Sequence, residues 1–218
     1  MFFDPSNIVS VTTNLPLQKY ECDITNLIFD AKGSAARLVN LLAQDFKCFR
    51  DEHQYEGRKK PVRILKRAQI LVADIWACFE GKDYGEFRDI DKITMFADYR
   101  IPQILNSMGC LQYSPLLDLA VREKKMIASG DNREVQLRGI SYSPPKQKKN
   151  WTSPFILTCS TACSIWCVEL IRREILKNYP DAHINAILID FFLYDTIKET
   201  ESEGKETVPH HRTRSIWY

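Results

Sequence analysis

The sequence predicts an all-α fold, because apolar residues recur at helical spacing along most of the chain and strand-like alternation is scarce. Serine, proline and glycine residues stand where helix ends are expected. The 218 residues are 44% hydrophobic and 27% charged, which is ordinary for a soluble globular protein with a sizeable core. The length allows one large domain or two small ones.

The first predicted helix follows Ser34, its expected N-cap, and runs to Phe46. A charged connector over 50–60 is predicted as loop. The next predicted helix covers 65–79 and ends before Gly81, a residue type suited to a helix C-cap. Because this helix is apolar nearly all the way round, we expect it in the interior.

Two shorter helices are predicted from their ends. One covers 98–108, with Gly109 just past its end. The other begins with Ser114 as N-cap and Pro115 at its first position, and it runs to about residue 125.

Two further helices are predicted near the end of the sequence. The first has an apolar stripe and ends before Pro180; the stripe consists of Ile165, Val168, Ile171 and Ile175. The second covers 183–198 and contains the mostly apolar run AILIDFFLY.

Two segments lack a helical pattern. Residues 140–163 contain three prolines and a basic cluster, and so long an unstructured connection indicates an insertion. Residues 1–23 are predicted as an atypical N-terminal segment, which leaves 24–218 as a helical domain interrupted by that insertion.

The charge balance and the hydropathy pattern disfavour several classes of protein. Thirty Lys+Arg against 28 Asp+Glu disfavours a stable nucleic-acid partner, which calls for clustered basic charge. No apolar run reaches the roughly 18 residues of a membrane span, and the opening residues do not predict a secretory signal. These features predict a soluble, cytoplasmic protein with reduced cysteines.

The familiar cofactor and metal motifs are also absent. Cys159, Cys163 and Cys167 lack the second ligand pair of a zinc site, so no metal is expected. No glycine-rich phosphate loop, dinucleotide fingerprint or nucleophile elbow occurs. The sequence therefore predicts no cofactor.

Three aspartates in apolar text are the most informative residues. Asp74, Asp98 and Asp190 either pair with partners or are neutralised, because an isolated buried carboxylate is costly. For Asp74 the structural interpretation is favoured, and for Asp98 helix capping and a site role are equally open. Asp190 lies inside a helix, where capping is not available, so a functional role and a structural one stay open.

A carboxylate of this kind suits cleavage of a glycosidic bond, whose transition state resembles an oxocarbenium ion. Aromatic neighbours could stack on a planar base or simply pack in the core; they are Phe96, Tyr99, Phe191 and Tyr194.

Five segments of the chain resemble the queuosine salvage protein family. They are KRAQILVADIWACFEGK (66–82), ITMFADYRIPQIL (93–105), SIWCVELIR (164–172), INAILIDFFLYD (184–195) and HRTRSIWY (211–218). The resemblance implies an all-α fold similar to helix-hairpin-helix DNA glycosylases. It also implies hydrolysis of the N-glycosidic bond of queuosine 5′-phosphate, which releases queuine for tRNA modification, without a metal or cofactor. Apart from the resemblance, we expect a monomer.

Site residues follow from the same resemblance. It makes Asp190 the catalytic carboxylate, as nucleophile or oxocarbenium stabiliser. Asp195 is expected to face the cationic aminomethyl arm of queuine. The residues expected to bind the substrate are Phe96, Asp98, Tyr99, Phe191, Asp195 and, as a phosphate contact, Lys60.

The chain departs from the family in two places. The family has a further N-terminal region of well over a hundred residues, and segment 140–163 interrupts a stretch that is continuous in the family. An alternative to the enzyme is therefore a non-catalytic fragment or a binding module for queuine or a nucleotide. A glycosylase acting on DNA or RNA is disfavoured by the near-neutral charge.

Overall fold

The structure, a computed structural model, describes residues 14–55, 59–138, 157–158, 164–205 and 207–217. Helices dominate these ranges, which confirms a mainly α protein. They are α1 (Asn14–Gln18), α2 (Ile24–Asp30), α3 (Ala35–Asp45), α4 (Lys66–Cys78), α5 (Arg100–Ser107), α6 (Pro115–Arg122), α7 (Asn132–Arg138), α8 (Ser164–Asn178) and α9 (Ala186–Ser202). No helix in these ranges is long and apolar enough to cross a membrane.

Six two-residue strands accompany the helices in the part of the chain that the structure describes. They are β1 (Glu52–His53), β2 (Val62–Arg63), β3 (Leu111–Gln112), β4 (Met126–Ile127), β5 (Leu157–Thr158) and β6 (Arg212–Thr213). The first two pair antiparallel, whereas β3 with β5 and β4 with β6 pair in parallel. The connector 50–60 is therefore not all loop, because it contains β1.

The chain divides into two compact units. The first comprises the residues through Asp51 together with Arg67–Ile93, and the second comprises Glu52–Lys66 and Thr94–Tyr218. Every residue predicted for the site belongs to the second unit.

In the first unit, α3 begins as the sequence predicts. The Ser34 hydroxyl accepts a hydrogen bond from the Arg37 amide at 3.2 Å, and it donates one to Asp89 at 2.8 Å. Leu38 and Leu42 on one face of the helix are buried. The cap and the apolar stripe together explain why this segment is helical.

The interior position expected for α4 is wrong. Ala68, Val72 and Ala73 are buried, but Asp74 on the opposite face is exposed. Because one face of the helix reaches solvent, Asp74 needs no buried partner. The predicted end is confirmed, since Gly81 adopts a φ of +72° and its amide donates to the Trp76 carbonyl at 2.9 Å.

In the second unit, α5, α8 and α9 pack against one another around a shared apolar core. The stripe predicted on α8 lies on this core, with Val168 fully buried and its apolar neighbours partly buried. Ser114 caps α6 by accepting from the Leu117 amide at 3.4 Å, and Asn185 caps α9 by accepting from the Leu188 amide at 3.0 Å.

Three of the helices and parts of two predicted segments have no match between sequence and structure. Helices α1, α2 and α7 lack a sequence prediction, and α1 falls inside the segment 1–23. The rest of that segment before Asn14, and the predicted insertion 140–163 apart from β5, lie outside the described residues.

Candidate active site

Asp190 is the fifth residue of α9 and is 5% exposed. Ile189 before it and Leu193 one turn later belong to the core of the second unit, which explains why the carboxyl is carried inward. Its Oδ2 accepts a hydrogen bond from the Phe96 amide at 2.8 Å. The predicted burial of this carboxyl is therefore confirmed, and its bonding partner is a backbone amide.

The electrostatic environment makes the Asp190 carboxyl a weak acid. Burial is the main cause that raises its pKa, to about 8, and the negative charge of Asp98 adds to the rise. The hydrogen bond from Phe96 and the positive charge of Lys66 act in the opposite direction. A carboxyl with so perturbed a pKa is a candidate for chemistry.

Asp98 caps α5. Its Oδ1 accepts from the Arg100 amide at 2.8 Å and from the Ile101 amide at 3.2 Å. The capping interpretation is thereby confirmed. The same carboxylate is half-buried and acts on Asp190 electrostatically, so capping does not remove it from the site.

Two of the predicted aromatic residues flank Asp190. The Phe96 and Phe191 rings lie with centroids 6.1 Å apart and planes inclined by 54°. Phe96 is 6% exposed, whereas Phe191 is 36% exposed and offers part of its ring to a ligand. The ring pair and the hydrogen bond from the Phe96 amide thus bring two aromatic residues and the Asp190 carboxyl together.

The other two aromatic residues have partners of their own. The Tyr99 ring lies 4.6 Å from the His210 ring, centroid to centroid, and the Arg100 guanidinium lies 5.4 Å from the Tyr99 centroid. Burial, and the nearby Arg100, lower the pKa of His210, so its ring is neutral at pH 7. Tyr194 packs against the core, with the Lys198 ammonium 4.6 Å from its ring centroid.

The structure does not bring every predicted residue to Asp190. Asp195 lies on the exposed surface of α9, and five residues of helix turn it about 140° away from Asp190. Lys60 is exposed and lies before β2. Among the residues that the structure describes, no hydrogen bond or ion pair joins either of them to Asp190.

Two residues near this site were not predicted from the sequence as site residues. Lys66, the first residue of α4, is 7% exposed and favours the charged form of Asp190. Its sequence signal was a basic residue directly before an apolar helical run. Arg138 is fully buried, and its Nε donates to the Ala97 carbonyl at 2.9 Å. The short helix that carries Arg138 gave no such signal.

A cavity of about 500 Å³ lies elsewhere, in the first unit. Its lining includes Phe29, Lys32, Phe79 and Tyr84, and it contains none of the predicted site residues. Within the described ranges, no three His, Cys, Asp or Glu side chains are grouped to hold a metal ion. The expectation of a metal-free site stays a prediction.

Comparisons with known proteins identify the family of the chain. The family described as queuosine salvage protein matches residues 7–144 and 160–218. A Schizosaccharomyces pombe protein named queuosine 5′-phosphate N-glycosylase/hydrolase is 40% identical over 97% of this chain and 55% of its own length. Relatives of the same name from Mus musculus and Sphaerobacter thermophilus are 39% and 32% identical, over 97% and 98% of this chain and 56% and 57% of their own lengths. The chain thus spans about half the length of these curated relatives. A match over nearly the whole chain, which includes Asp190 and the residues around it, establishes that the chain belongs to the queuosine salvage protein family.

Proposed function

We propose that this chain is the part of a queuosine 5′-phosphate N-glycosylase that carries the catalytic carboxylate, Asp190. The reaction hydrolyses the N-glycosidic bond of queuosine 5′-phosphate and releases queuine for reuse in tRNA modification. The names of its relatives support this activity. The observation that carries the proposal is the buried Asp190 carboxyl, held by the Phe96 amide beside Asp98.

Asp190 acts on the positive charge that develops at the sugar. As the bond between the anomeric carbon and the base nitrogen breaks, the sugar takes on oxocarbenium character, which an adjacent carboxylate stabilises or traps as a nucleophile. The Phe96 amide binds Oδ2, and we assign Oδ1 to face the anomeric carbon. Water then supplies the oxygen to the sugar and the proton to the departing base.

The raised pKa of Asp190 has a direct consequence for this step. At pH 7 a carboxyl with a pKa of about 8 is mostly protonated in the absence of ligand. The positive charge that develops at the sugar in the transition state favours the ionised form of the carboxyl. Breaking of the glycosidic bond therefore promotes the ionisation that the reaction needs, in a site where burial makes that charge act strongly.

The remaining site residues have binding roles in this proposal. Phe96 and Phe191 line the pocket for the base, which stacks on the exposed part of the Phe191 ring, and Tyr99 borders them. Asp98 and Asp195 receive the polar groups of the base, with Asp195 toward the cationic aminomethyl arm. Lys60, exposed beyond the site, is the proposed phosphate contact.

We also propose a fold similar to helix-hairpin-helix glycosylases and a domain over 24–218 with an insertion at 140–163. The protein is further proposed to be a monomer, to be cytoplasmic and to have no stable nucleic-acid partner. The formal charge of +2 supports the last of these. The family match leaves out 145–159, which supports an insertion there.

The test is to incubate the purified protein with queuosine 5′-phosphate and to follow free queuine by mass spectrometry. We expect release by the unchanged protein and a loss of about a hundredfold to a thousandfold in Asp190→Asn, because the variant lacks the transition-state charge. Asp181→Asn, which alters an exposed carboxylate between α8 and α9, serves as the matched control and keeps its activity.

Two outcomes contradict the proposal. Near-normal queuine release by Asp190→Asn rules out the catalytic role of that carboxylate. The second outcome is that the unchanged protein binds queuine tightly but forms none from queuosine 5′-phosphate, while a relative of full length turns the substrate over. That result favours the alternative of a binding module.

A further inference from the structure

The segment 93–97 has no helix or strand to fix its backbone. Its direction near the site depends on hydrogen bonds to side chains. The Phe96 amide donates to Asp190 at 2.8 Å, and the Ala97 carbonyl accepts from the Arg138 Nε at 2.9 Å. Between them the Asp98 amide donates to the Phe96 carbonyl at 2.7 Å, which makes a three-residue turn centred on Ala97.

The orientation of Arg138 is itself fixed. Its side chain and that of Glu134 are both fully buried, with Nη1 at 3.3 Å from Oε1 across one turn of α7. The other carboxylate oxygen, Oε2 of Glu134, accepts from the Gly130 amide at 3.0 Å. The Nη1 atom also lies 3.4 Å from Nε2 of His53. A planar guanidinium held along one edge in this way presents its Nε in a fixed direction, which is toward Ala97.

We propose that Arg138 is a positioning residue for Asp190: by holding the Ala97 carbonyl, it aims the Phe96 amide at the carboxylate and the Asp98 side chain at α5. This proposal rests on the proposed function only in taking Asp190 as the catalytic carboxylate. The geometry that it concerns exists without substrate.

Stability of the core alone does not account for this arrangement. Replacing a buried ion pair by apolar side chains is often neutral or stabilising, so the Arg138–Glu134 pair is not needed merely to fill space. What an apolar residue could not supply is the donor to Ala97. That carbonyl is buried in the turn next to Phe96, where an unsatisfied acceptor is costly.

The test compares Arg138→Met with Val135→Ala by amide hydrogen exchange. The first variant removes the donor to Ala97, and the second truncates a fully buried side chain on the same helix and keeps Arg138 and Glu134. The readout is the exchange rate of the Phe96 amide relative to that of Leu105, a buried residue in α5.

In Arg138→Met we expect the Phe96 amide to exchange about tenfold faster relative to Leu105, because the hydrogen bond to Asp190 loses its support. In Val135→Ala both amides should accelerate by the same factor. The pKa of Asp190, followed by carboxyl carbon NMR, should rise further in Arg138→Met, since the Phe96 hydrogen bond is one of the interactions that lower it. Asp98 and Lys66, the charged groups that act on Asp190, are unchanged in both variants.

Equal acceleration of Phe96 and Leu105 in Arg138→Met, or none in either, overturns the proposal and leaves Arg138 a structural residue. If Arg138→Met does not fold, Arg138→Lys gives the same comparison, because a lysine cannot bond Glu134 and Ala97 with one rigid fork. Neither measurement uses substrate. If the unchanged protein releases no queuine from queuosine 5′-phosphate, the proposed function is refuted. A selective loss of Phe96 protection in Arg138→Met would still support the positioning role in that case.

Discussion

Replacing Asp190 by asparagine should make the fold more stable at alkaline pH and should bring no such gain at acidic pH. The carboxyl has an unfolded pKa of 3.8 and a folded pKa of about 8. A raised pKa means that the folded state binds the proton more tightly than the unfolded state does. The favourable contribution is fully present below the unfolded value and is lost as the pH rises through the folded one.

The size of this effect follows from the interval between the two pKa values. At about 1.4 kcal/mol per unit, ionisation of Asp190 lowers the unfolding free energy of the unchanged protein by on the order of 5 kcal/mol between about pH 4 and pH 8. Asparagine keeps an oxygen that can accept from the Phe96 amide, but its own amide group needs a partner in a buried site. Leaving that group unsatisfied costs about 1–3 kcal/mol. The net gain at about pH 9 is therefore about 2–4 kcal/mol.

Urea unfolding followed by circular dichroism at about pH 5 and about pH 9 measures this difference. The urea midpoint of the unchanged protein should be lower at about pH 9 than at about pH 5. The midpoint of Asp190→Asn should decrease less between the same two pH values. Asp181→Asn, at an exposed position, should follow the unchanged protein. The reasoning is refuted if Asp190→Asn changes the stability equally at both pH values or lowers it at alkaline pH. Either result means that ionisation of the Asp190 carboxyl does not destabilise the folded state.

Three further predictions concern the Asp98 cap, the predicted insertion and the tight turn at Gly85. Asp98→Ala should weaken queuine binding measured by calorimetry while costing only about 1 kcal/mol of stability as a lost cap; a sharp fall in the melting temperature with affinity retained would make Asp98 purely structural. Deletion of 145–156 spares the β5 strand that pairs with β3 and should leave the melting temperature within a few degrees, because loop length carries only about 0.6 kcal/mol per doubling; loss of soluble expression would show that the segment belongs to the core. Gly85→Ala should lower stability by about 1–3 kcal/mol in urea unfolding, since a Cβ there would lie 2.8 Å from both the Ile75 carbonyl and the Phe79 Cβ; an unchanged midpoint would mean that the turn relaxes freely.

Sequence patterns were sufficient where a local interaction determines the structure. Ser34 and Ser114 cap the helices that they precede, and Gly81 ends α4, because each acts on backbone groups within a few residues. Asp190 could be recognised from apolar neighbours on both sides. The wrong placement of α4 shows the converse, since an apolar composition does not determine how many faces of a helix other elements cover.

The rest of the site depends on contacts between residues far apart in the chain. Lys66 and Arg138 are ordinary basic residues in the sequence, and their importance comes from burial beside Asp190 and Ala97. The parallel pairs β3–β5 and β4–β6 extend over two residues each, too few for a period to be recognised.

The large separation between Phe96 and Asp190 along the chain has a consequence for biosynthesis. Their hydrogen bond joins residues 94 positions apart, whereas the bond from Arg138 to Ala97 spans only 41. At about 5–20 residues per second, a ribosome adds the carboxylate roughly 5–20 s after the amide that it will meet. Arg138 is synthesised well before Asp190, so the turn at Ala97 can be held in place while α9 is still being made. The Phe96 amide is thus synthesised before the Asp190 carboxylate that it binds. Translation that stops before α9 yields a chain that has the amide donor and lacks the carboxylate.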